Sequence, residues 1–136
     1  MGLNEKRAIK SIQDGLFPKM KQETLEILGF EVEFEVKWDT LIIDDISHLY
    51  EEGFEVVYFR PMIDAFKSIV SDDLGKEALQ AALKKIVIKS ENDIGTAPRW
   101  AAFENGVLTL DHKINSNFTM VSDRKETLQA LLEKTL

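Results

Sequence analysis

The sequence predicts an α+β domain in which helices pack on one face of a mainly antiparallel sheet of about four strands. Residues 30–38 alternate apolar and charged side chains, as in a half-buried strand, whereas other stretches repeat apolar residues with helical spacing. The pair Asn105-Gly106 tolerates positive φ and predicts a two-residue type I′ hairpin. With 136 residues, 44% of them hydrophobic, the chain has the composition of one globular domain, and we interpret residues 1–136 as such.

The first predicted element is a helical region over residues 4–28. Its apolar residues recur every fourth position, and Gly29 follows where a left-handed C-cap is favoured. Pro18 lies inside this region. Because an interior proline removes a backbone hydrogen bond, we expect a kink near residues 15–18 or two helices that meet there.

The strand over residues 30–38 follows directly. An apolar face needs a core and a charged face needs water, so this strand is expected at a half-buried position in the sheet. The two faces alternate along the chain: Phe30, Val32, Phe34, Val36 and Trp38 on one, and Glu31, Glu33, Glu35 and Lys37 on the other.

Residues 54–70 carry conflicting signals. Apolar side chains recur with helical spacing, whereas the run from Val56 to Phe59 has strand propensity. Because the helical spacing continues on both sides of Pro61, we predict a helix that is kinked at this proline.

The elements after residue 70 are predicted mainly from the residues at which they begin. Ser71, Asp72 and Asp73 predict the start of a helix, and the β-branched run from Ile86 predicts a strand directly after it. Ser122 or Asp123 is suited to cap a final helix, with Glu126 supporting the cap and three leucines facing inward: Leu128, Leu131 and Leu132.

The hairpin implies a definite register. Its pairs are Glu104 with Val107, Phe103 with Leu108, Ala102 with Thr109, Ala101 with Leu110, and Trp100 with Asp111. This register places four apolar residues on the core face: Ala101, Phe103, Leu108 and Leu110.

Trp100 and His112 are candidate binding residues because of this register. Trp100 falls on the less buried face, where it is either an exposed contact anchor or covered by the N-terminal helix. His112 falls on the core side near the rim of the sheet. It is either bonded to a backbone carbonyl or in contact with a ligand at the open end of the sheet.

Asp44, Asp45 and His48 are three and four residues apart, a spacing that brings side chains together on a helix. They are interpreted either as mixed carboxylate and imidazole metal ligands or as a capping aspartate pair followed by a surface histidine. As a cap, Asp44 or Asp45 would begin a short helix that ends near Gly53.

The charge of the chain is unevenly distributed. The net charge is -7, which disfavours nucleic-acid binding. Residues 22–66 contain twelve acidic side chains and two basic ones. We therefore predict a protein partner with a basic surface, contacted by Glu31, Glu33 and Glu35, although such a charge run is also compatible with a face that is only solvated.

Several chemistries are excluded or have no motif. The chain has no cysteine, which excludes disulfides and thiolate catalysis and fits a cytoplasmic location. The N-terminal residues contain no apolar run of signal or membrane length. No phosphate-binding glycine loop or nucleophile elbow occurs, so no cofactor and no catalytic residue is predicted.

The leading functional hypothesis is a non-enzymatic, acidic protein-interaction domain. The alternative is a small-molecule- or metal-binding enzyme with a pocket between sheet and helices, using His112 or the group formed by Asp44, Asp45 and His48. A third hypothesis is a homodimer formed by pairing of sheet edges.

Overall fold

The computed structural model describes residues 2–136. Its N-terminal helical region consists of α1 (Leu3–Ser11) and α2 (Phe17–Leu28), joined by a π-helical turn, Ile12–Leu16. Gly29 follows α2 with φ +76°, and its N–H donates to the carbonyl of Leu25 at 2.9 Å. The predicted left-handed C-cap is therefore confirmed.

Both prolines within helical regions follow a π-helical turn. Pro18 lies in the first turn of α2, and Pro61 lies in the first turn of α5 (Arg60–Ile69), directly after a second π-helical turn, Phe54–Phe59. A wider turn moves the carbonyl four residues earlier away from the proline ring, so the helix continues without the usual clash. Residues 54–69 are thus helical, as predicted from the apolar spacing.

The segment between strand and helix is more broken than predicted. β1 covers only Glu33–Val36 of the strand predicted over residues 30–38: residues 30–32 precede it outside the sheet, and Trp38 already begins the short helix α3 (Trp38–Leu41). A 3₁₀ turn, Ser47–Leu49, then leads into α4 (Tyr50–Gly53).

The predicted cap by Asp44 or Asp45 is wrong. No side chain caps the 3₁₀ turn or α4, and the chain passes through Asp45 in a turn with φ +70°. Aspartate tolerates this left-handed conformation better than most residues, which explains its place there.

The second half of the chain begins with α6 (Asp73–Ala82). Its cap is confirmed, since a carboxylate oxygen of Asp72 accepts the N–H of Gly75 at 2.7 Å. β2 (Lys85–Lys89), a 3₁₀ turn (Ala97–Arg99), β3 (Ala101–Glu104), β4 (Val107–Asp111) and α7 (Val121–Thr135) complete the fold.

The predicted cap of the last helix by Ser122 or Asp123 is wrong. Met120 occupies the N-cap position of α7 and no side chain caps it. Two of the three inward leucines, Leu128 and Leu132, are fully buried.

The α+β class and the four-stranded sheet are confirmed, but the sheet is mixed rather than mainly antiparallel. The strand order is β1-β2-β4-β3, with β1 parallel to β2, β2 parallel to β4, and β3 antiparallel to β4. The helices between β1 and β2 return the chain to the end where β1 began, which produces a parallel pair. The hairpin has the predicted register throughout its four strand pairs.

Helices cover one face of the sheet. Phe34 aligns with Ile86, which aligns with Leu108, and the ring of Phe34 packs against Phe17 and Phe59 at centroid distances of 6.2 and 6.1 Å. The opposite face carries mostly polar, partly exposed side chains: Glu33, Glu35, Lys85, Lys89 and Thr109. We call this the open face of the sheet.

None of the helices in residues 2–136 combines the length and apolar character needed to cross a bilayer.

Candidate interaction surface

The open face places the acidic strand β1 beside a lysine. Lys85 lies opposite Glu33 in the parallel pair, and its ammonium reaches the carboxylates of Glu33 and Glu35 at 3.2 and 2.7 Å. Two of the three glutamates predicted to bind a partner are therefore already in ion pairs. The third, Glu31, is exposed and makes no ion pair within residues 2–136.

The ion pairs shift the pKa values of both partners. The hydrogen bond from Lys85, reinforced by its charge, lowers the pKa of the Glu35 carboxyl. Hydrogen bonds to Glu35 and Glu33 raise the pKa of Lys85. Because these groups are largely solvated, salt screens the attraction and each pair contributes little to stability.

A second group of charges lies at the carboxyl end of β2. Glu91 accepts the ammonium of Lys89 at 2.5 Å and lies 3.8 Å from that of Lys37. The hydrogen bond from Lys89 lowers the pKa of Glu91. The open face therefore carries both signs of charge rather than a purely acidic ladder.

The rest of the acidic segment, residues 22–66, is far less neutralised. Apart from the pairs with Lys85, only Glu23 and Glu55 are in ion pairs, both with the guanidinium of Arg60 at 2.9 Å. The other eight acidic residues make no ion pair within the described part of the chain, and all except Asp64 are exposed: Glu26, Glu31, Asp39, Asp44, Asp45, Glu51, Glu52 and Asp64. Seven unpaired, exposed carboxylates thus remain on this segment.

Two surface depressions adjoin the first π-helical turn and contain some of these carboxylates. One, of about 450 Å³, is lined by Gln13, Thr40 and the run from Val36 to Asp39. The other, of about 460 Å³, has Leu16 and Val56 among its lining residues together with three acids: Glu51, Glu52 and Glu55. The second combines apolar surface with three carboxylates, which suits the stem and head of a lysine or arginine side chain, whereas the first holds one cation, Lys37, beside one carboxylate, Asp39.

Trp100 is fully buried, so it is not the exposed contact anchor that one of its two sequence interpretations described. The indole N–H donates to the backbone carbonyl of Arg124 at 3.1 Å, so the tryptophan is held against α7 rather than under the N-terminal helix. It has no surface open to a partner.

His112 lies on the core side of the sheet, as predicted, and is also fully buried. Its Nδ1 lies 2.7 Å from the carbonyl of Lys113, and its own carbonyl accepts the hydroxyl of Tyr58. Burial lowers the pKa of the imidazole and, for the same reason, raises the pKa of the Tyr58 hydroxyl. The backbone-bonded interpretation of His112 fits this environment.

Arg124 is a buried charged residue that the sequence interpretation missed. It is fully buried, and one guanidinium nitrogen donates to the carbonyl of Val56 at 3.2 Å. Burial lowers its pKa. Its position in the α7 sequence, next to exposed Asp123, is typical of a surface residue, so composition alone carries no signal for its burial.

Asp44, Asp45 and His48 do not form a metal centre in this structure. Within residues 2–136, no group of three or more histidine, aspartate or glutamate side chains is arranged to hold a metal ion. His48 is exposed and lines a small depression of about 160 Å³ that also includes Ser11 and Glu51.

A cleft of about 300 Å³ lies at the carboxyl ends of β2 and β4. Asp111, which is 5% exposed, accepts the N–H of Glu91 at 2.9 Å and the side-chain amide of Asn92 at 2.5 Å. Arg99 and Lys89 also line the cleft. It differs from the predicted pocket between sheet and helices because its lining comes from β2, β3, β4, the loop after β2 and the 3₁₀ turn Ala97–Arg99.

Lys85, Lys89 and Asp111 are charged residues on this side of the sheet that the sequence interpretation did not select as binding residues. The alternation of Lys85, Val87 and Lys89 with buried Ile86 and Ile88 does indicate cations on one face of β2. That pattern could not place Lys85 beside Glu33 and Glu35, because local periodicity does not specify the order of strands in a sheet.

Comparison with models of known protein families, with curated proteins and with solved structures found no match to this chain.

Proposed function

We propose that this chain is a non-enzymatic interaction domain that binds a protein partner with a basic surface. The observation that carries the proposal is the set of seven exposed carboxylates of residues 22–66 that have no ion pair within the described chain. A concentration of unpaired negative charge accelerates encounter with a basic protein and orients it.

One of the two depressions beside the first π-helical turn supports this proposal. Glu51 and Glu52 line this depression together with apolar Leu16 and Val56, whereas in the other the charge of Asp39 is offset by Lys37. Lysine and arginine side chains have an apolar stem and a cationic head. They would therefore contact both the apolar and the acidic residues that line this depression.

The test compares two variants that have the same net charge. In one, five exposed carboxylates of the acidic segment become amides: Glu31, Asp39, Asp44, Glu51 and Glu52. In the other variant, five exposed carboxylates outside residues 22–66 become amides: Asp73, Glu77, Glu104, Glu126 and Glu133. Binding of a lysine-rich peptide is measured by titration calorimetry at low and at physiological salt.

The proposal predicts that the first variant loses most of the affinity and most of its salt dependence, whereas the second keeps both. Equal losses in the two variants would mean that only net charge matters and would contradict a localised surface. Cross-linking in a native lysate, compared between the same two variants, then identifies the natural partner.

A second candidate function rests on the cleft at the carboxyl ends of β2 and β4. Open sheets with parallel strands commonly bind ligands at that end, and here a nearly buried carboxylate, Asp111, lies beside the cations Lys89 and Arg99. A small molecule with both a donor group and an anionic group would suit these residues. The test is a thermal-shift screen in which a stabilising compound must lose its effect in Arg99→Gln; no stabilising compound, or one unaffected by that substitution, would exclude the cleft.

A further inference from the structure

The free edge of β1 indicates how a basic partner could bind. This inference rests on the function proposed above. β1 lies at one end of the strand order, and β2 is its single neighbour within the part of the chain that the structure describes. An edge strand presents a row of backbone donors and acceptors that another extended segment can pair with. Many natural sheets block such an edge with a helix, a proline or a bulge.

The hydrogen bonds to β2 show which residues of β1 face the edge. The N–H of Glu33 donates to the carbonyl of Lys84 at 3.1 Å, and the N–H of Lys37 donates to that of Ile88 at 2.9 Å. In a parallel pair, alternate residues direct their backbone groups toward opposite sides. Phe34 and Val36 therefore direct their N–H and C=O groups away from β2.

A surface depression at the C-terminal end of β1 leaves space for an added strand. Val36 lines the depression of about 450 Å³ that continues past the end of β1 along Trp38 and Asp39. Phe34 and Val36 are themselves half-buried rather than covered. An added strand would thus run along β1 and place its last side chains in a depression that is lined by Trp38 and by one residue of each charge, Lys37 and Asp39.

The side chains of β1 determine what could be added. On the open face, Glu33 and Glu35 form ion pairs with Lys85, which approaches from the β2 side, and the charge of Lys37 also acts on Glu35. A second copy of this chain would place glutamates opposite glutamates, and like charges directly opposite destabilise a pair. A lysine or arginine on the added strand would instead meet these carboxylates from the edge side.

We infer that β1 binds an extended segment of its basic partner by strand addition, with basic side chains on the open face and apolar side chains on the core face. The apolar positions would lie next to the side chains of Phe34 and Val36, which point toward the core. The recognised pattern is an alternation of lysine or arginine with an apolar residue. Backbone pairing supplies affinity and the alternation supplies specificity.

The experiment uses a seven-residue peptide in which lysine alternates with valine, and the same peptide methylated at every backbone nitrogen. The second peptide keeps its charge but has no backbone donors. Amide hydrogen exchange of the full chain is followed residue by residue by NMR with each peptide. Phe34 and Val36 report on the edge, and Glu33 and Lys37, whose N–H groups already face β2, are internal controls.

The unmodified peptide is expected to slow exchange at Phe34 and Val36 by at least about tenfold, with no comparable effect from the methylated peptide. If the unmodified peptide binds but exchange at these two amides is unchanged, or if the methylated peptide protects them equally, strand addition is excluded while the acidic surface remains. If neither peptide binds, both the strand addition and the proposed function are overturned.

Discussion

Replacing Gly53 by alanine has two opposite effects on stability, a gain in helix propensity and a loss from steric overlap. Gly53 has ordinary helical dihedral angles, φ -61° and ψ -42°, so propensity alone predicts that alanine stabilises the helix by about 1 kcal/mol. A Cβ at this position would lie 1.9 Å from the carbonyl oxygen of Ile114 and 2.9 Å from its Cγ1. Favourable non-bonded contacts between carbon atoms occur at about 3.5 to 4.0 Å, so the backbone at Ile114 must move.

The steric effect is expected to exceed the propensity effect. Ile114 is fully buried, and the atom it presents is backbone rather than a flexible side chain. Overpacking of this kind costs about 1 to 3 kcal/mol, and the size of the overlap favours the upper end. After subtraction of the propensity gain, Gly53→Ala should lower the free energy of unfolding by about 2 kcal/mol.

Urea denaturation measures the effect, and Gly15→Ala is the matched control. A loss of about 2 kcal/mol lowers the midpoint by roughly 1 M urea at typical values of m. Gly15 also lies in a helical segment, but a Cβ there meets no atom within 4 Å, so its alanine variant should be more stable than the wild type by about 0.5 to 1 kcal/mol. If Gly53→Ala is as stable as the wild type with an unchanged m, the packing argument fails.

Three further predictions follow from polar groups. Tyr58→Phe keeps the buried ring but leaves the carbonyl of His112 without its hydroxyl donor, so the free energy of unfolding should fall by about 1 to 3 kcal/mol; an unchanged urea midpoint would contradict this. Burial lowers the pKa of His112 from its ordinary 6.5, so the unfolded chain takes up a proton first as the pH falls. Stability should therefore decline below pH 6.5 by up to about 1.4 kcal/mol per pH unit, and the imidazole carbons should titrate below 6.5 by NMR. Lys85 lowers the pKa of Glu35 below its ordinary 4.5, so the stabilisation is present above 4.5 and lost as the pH falls through the lower, folded-state value. The advantage of the wild type over Glu35→Gln should disappear in acid and in high salt, whereas Glu31→Gln, which removes no ion pair, should resemble the wild type throughout.

Local patterns predicted those elements whose cause is local. The left-handed cap at Gly29, the side-chain cap at Asp72 and the hairpin at Asn105-Gly106 each depend on one or two residues and their immediate backbone. The helix over residues 54–69 was also predictable, because its buried face extends past Pro61 in sequence. The π-helical turn before each proline was not predictable from these patterns.

The candidate surface was predicted only in part, because only some of its features have a local cause in the sequence. The alternation in β1 indicates which side chains face water, and the composition of residues 22–66 indicates an excess of acid. Neither indicates that Lys85 lies between Glu33 and Glu35, since the lysine is fifty residues further along the chain and reaches them through parallel pairing.

The sequence by itself determined the α+β class, the half-buried β1, the hairpin register and the acidic character of one segment, because periodicity, turn chemistry and charge act over a few residues. The tertiary structure decided the parallel strand order, the burial of Trp100 against α7, the burial of His112 and Arg124, and which of the described carboxylates stay outside ion pairs. These features depend on contacts between segments far apart in the chain, which no local pattern specifies. They also leave β1 at an open edge of the sheet, where the partner is proposed to bind.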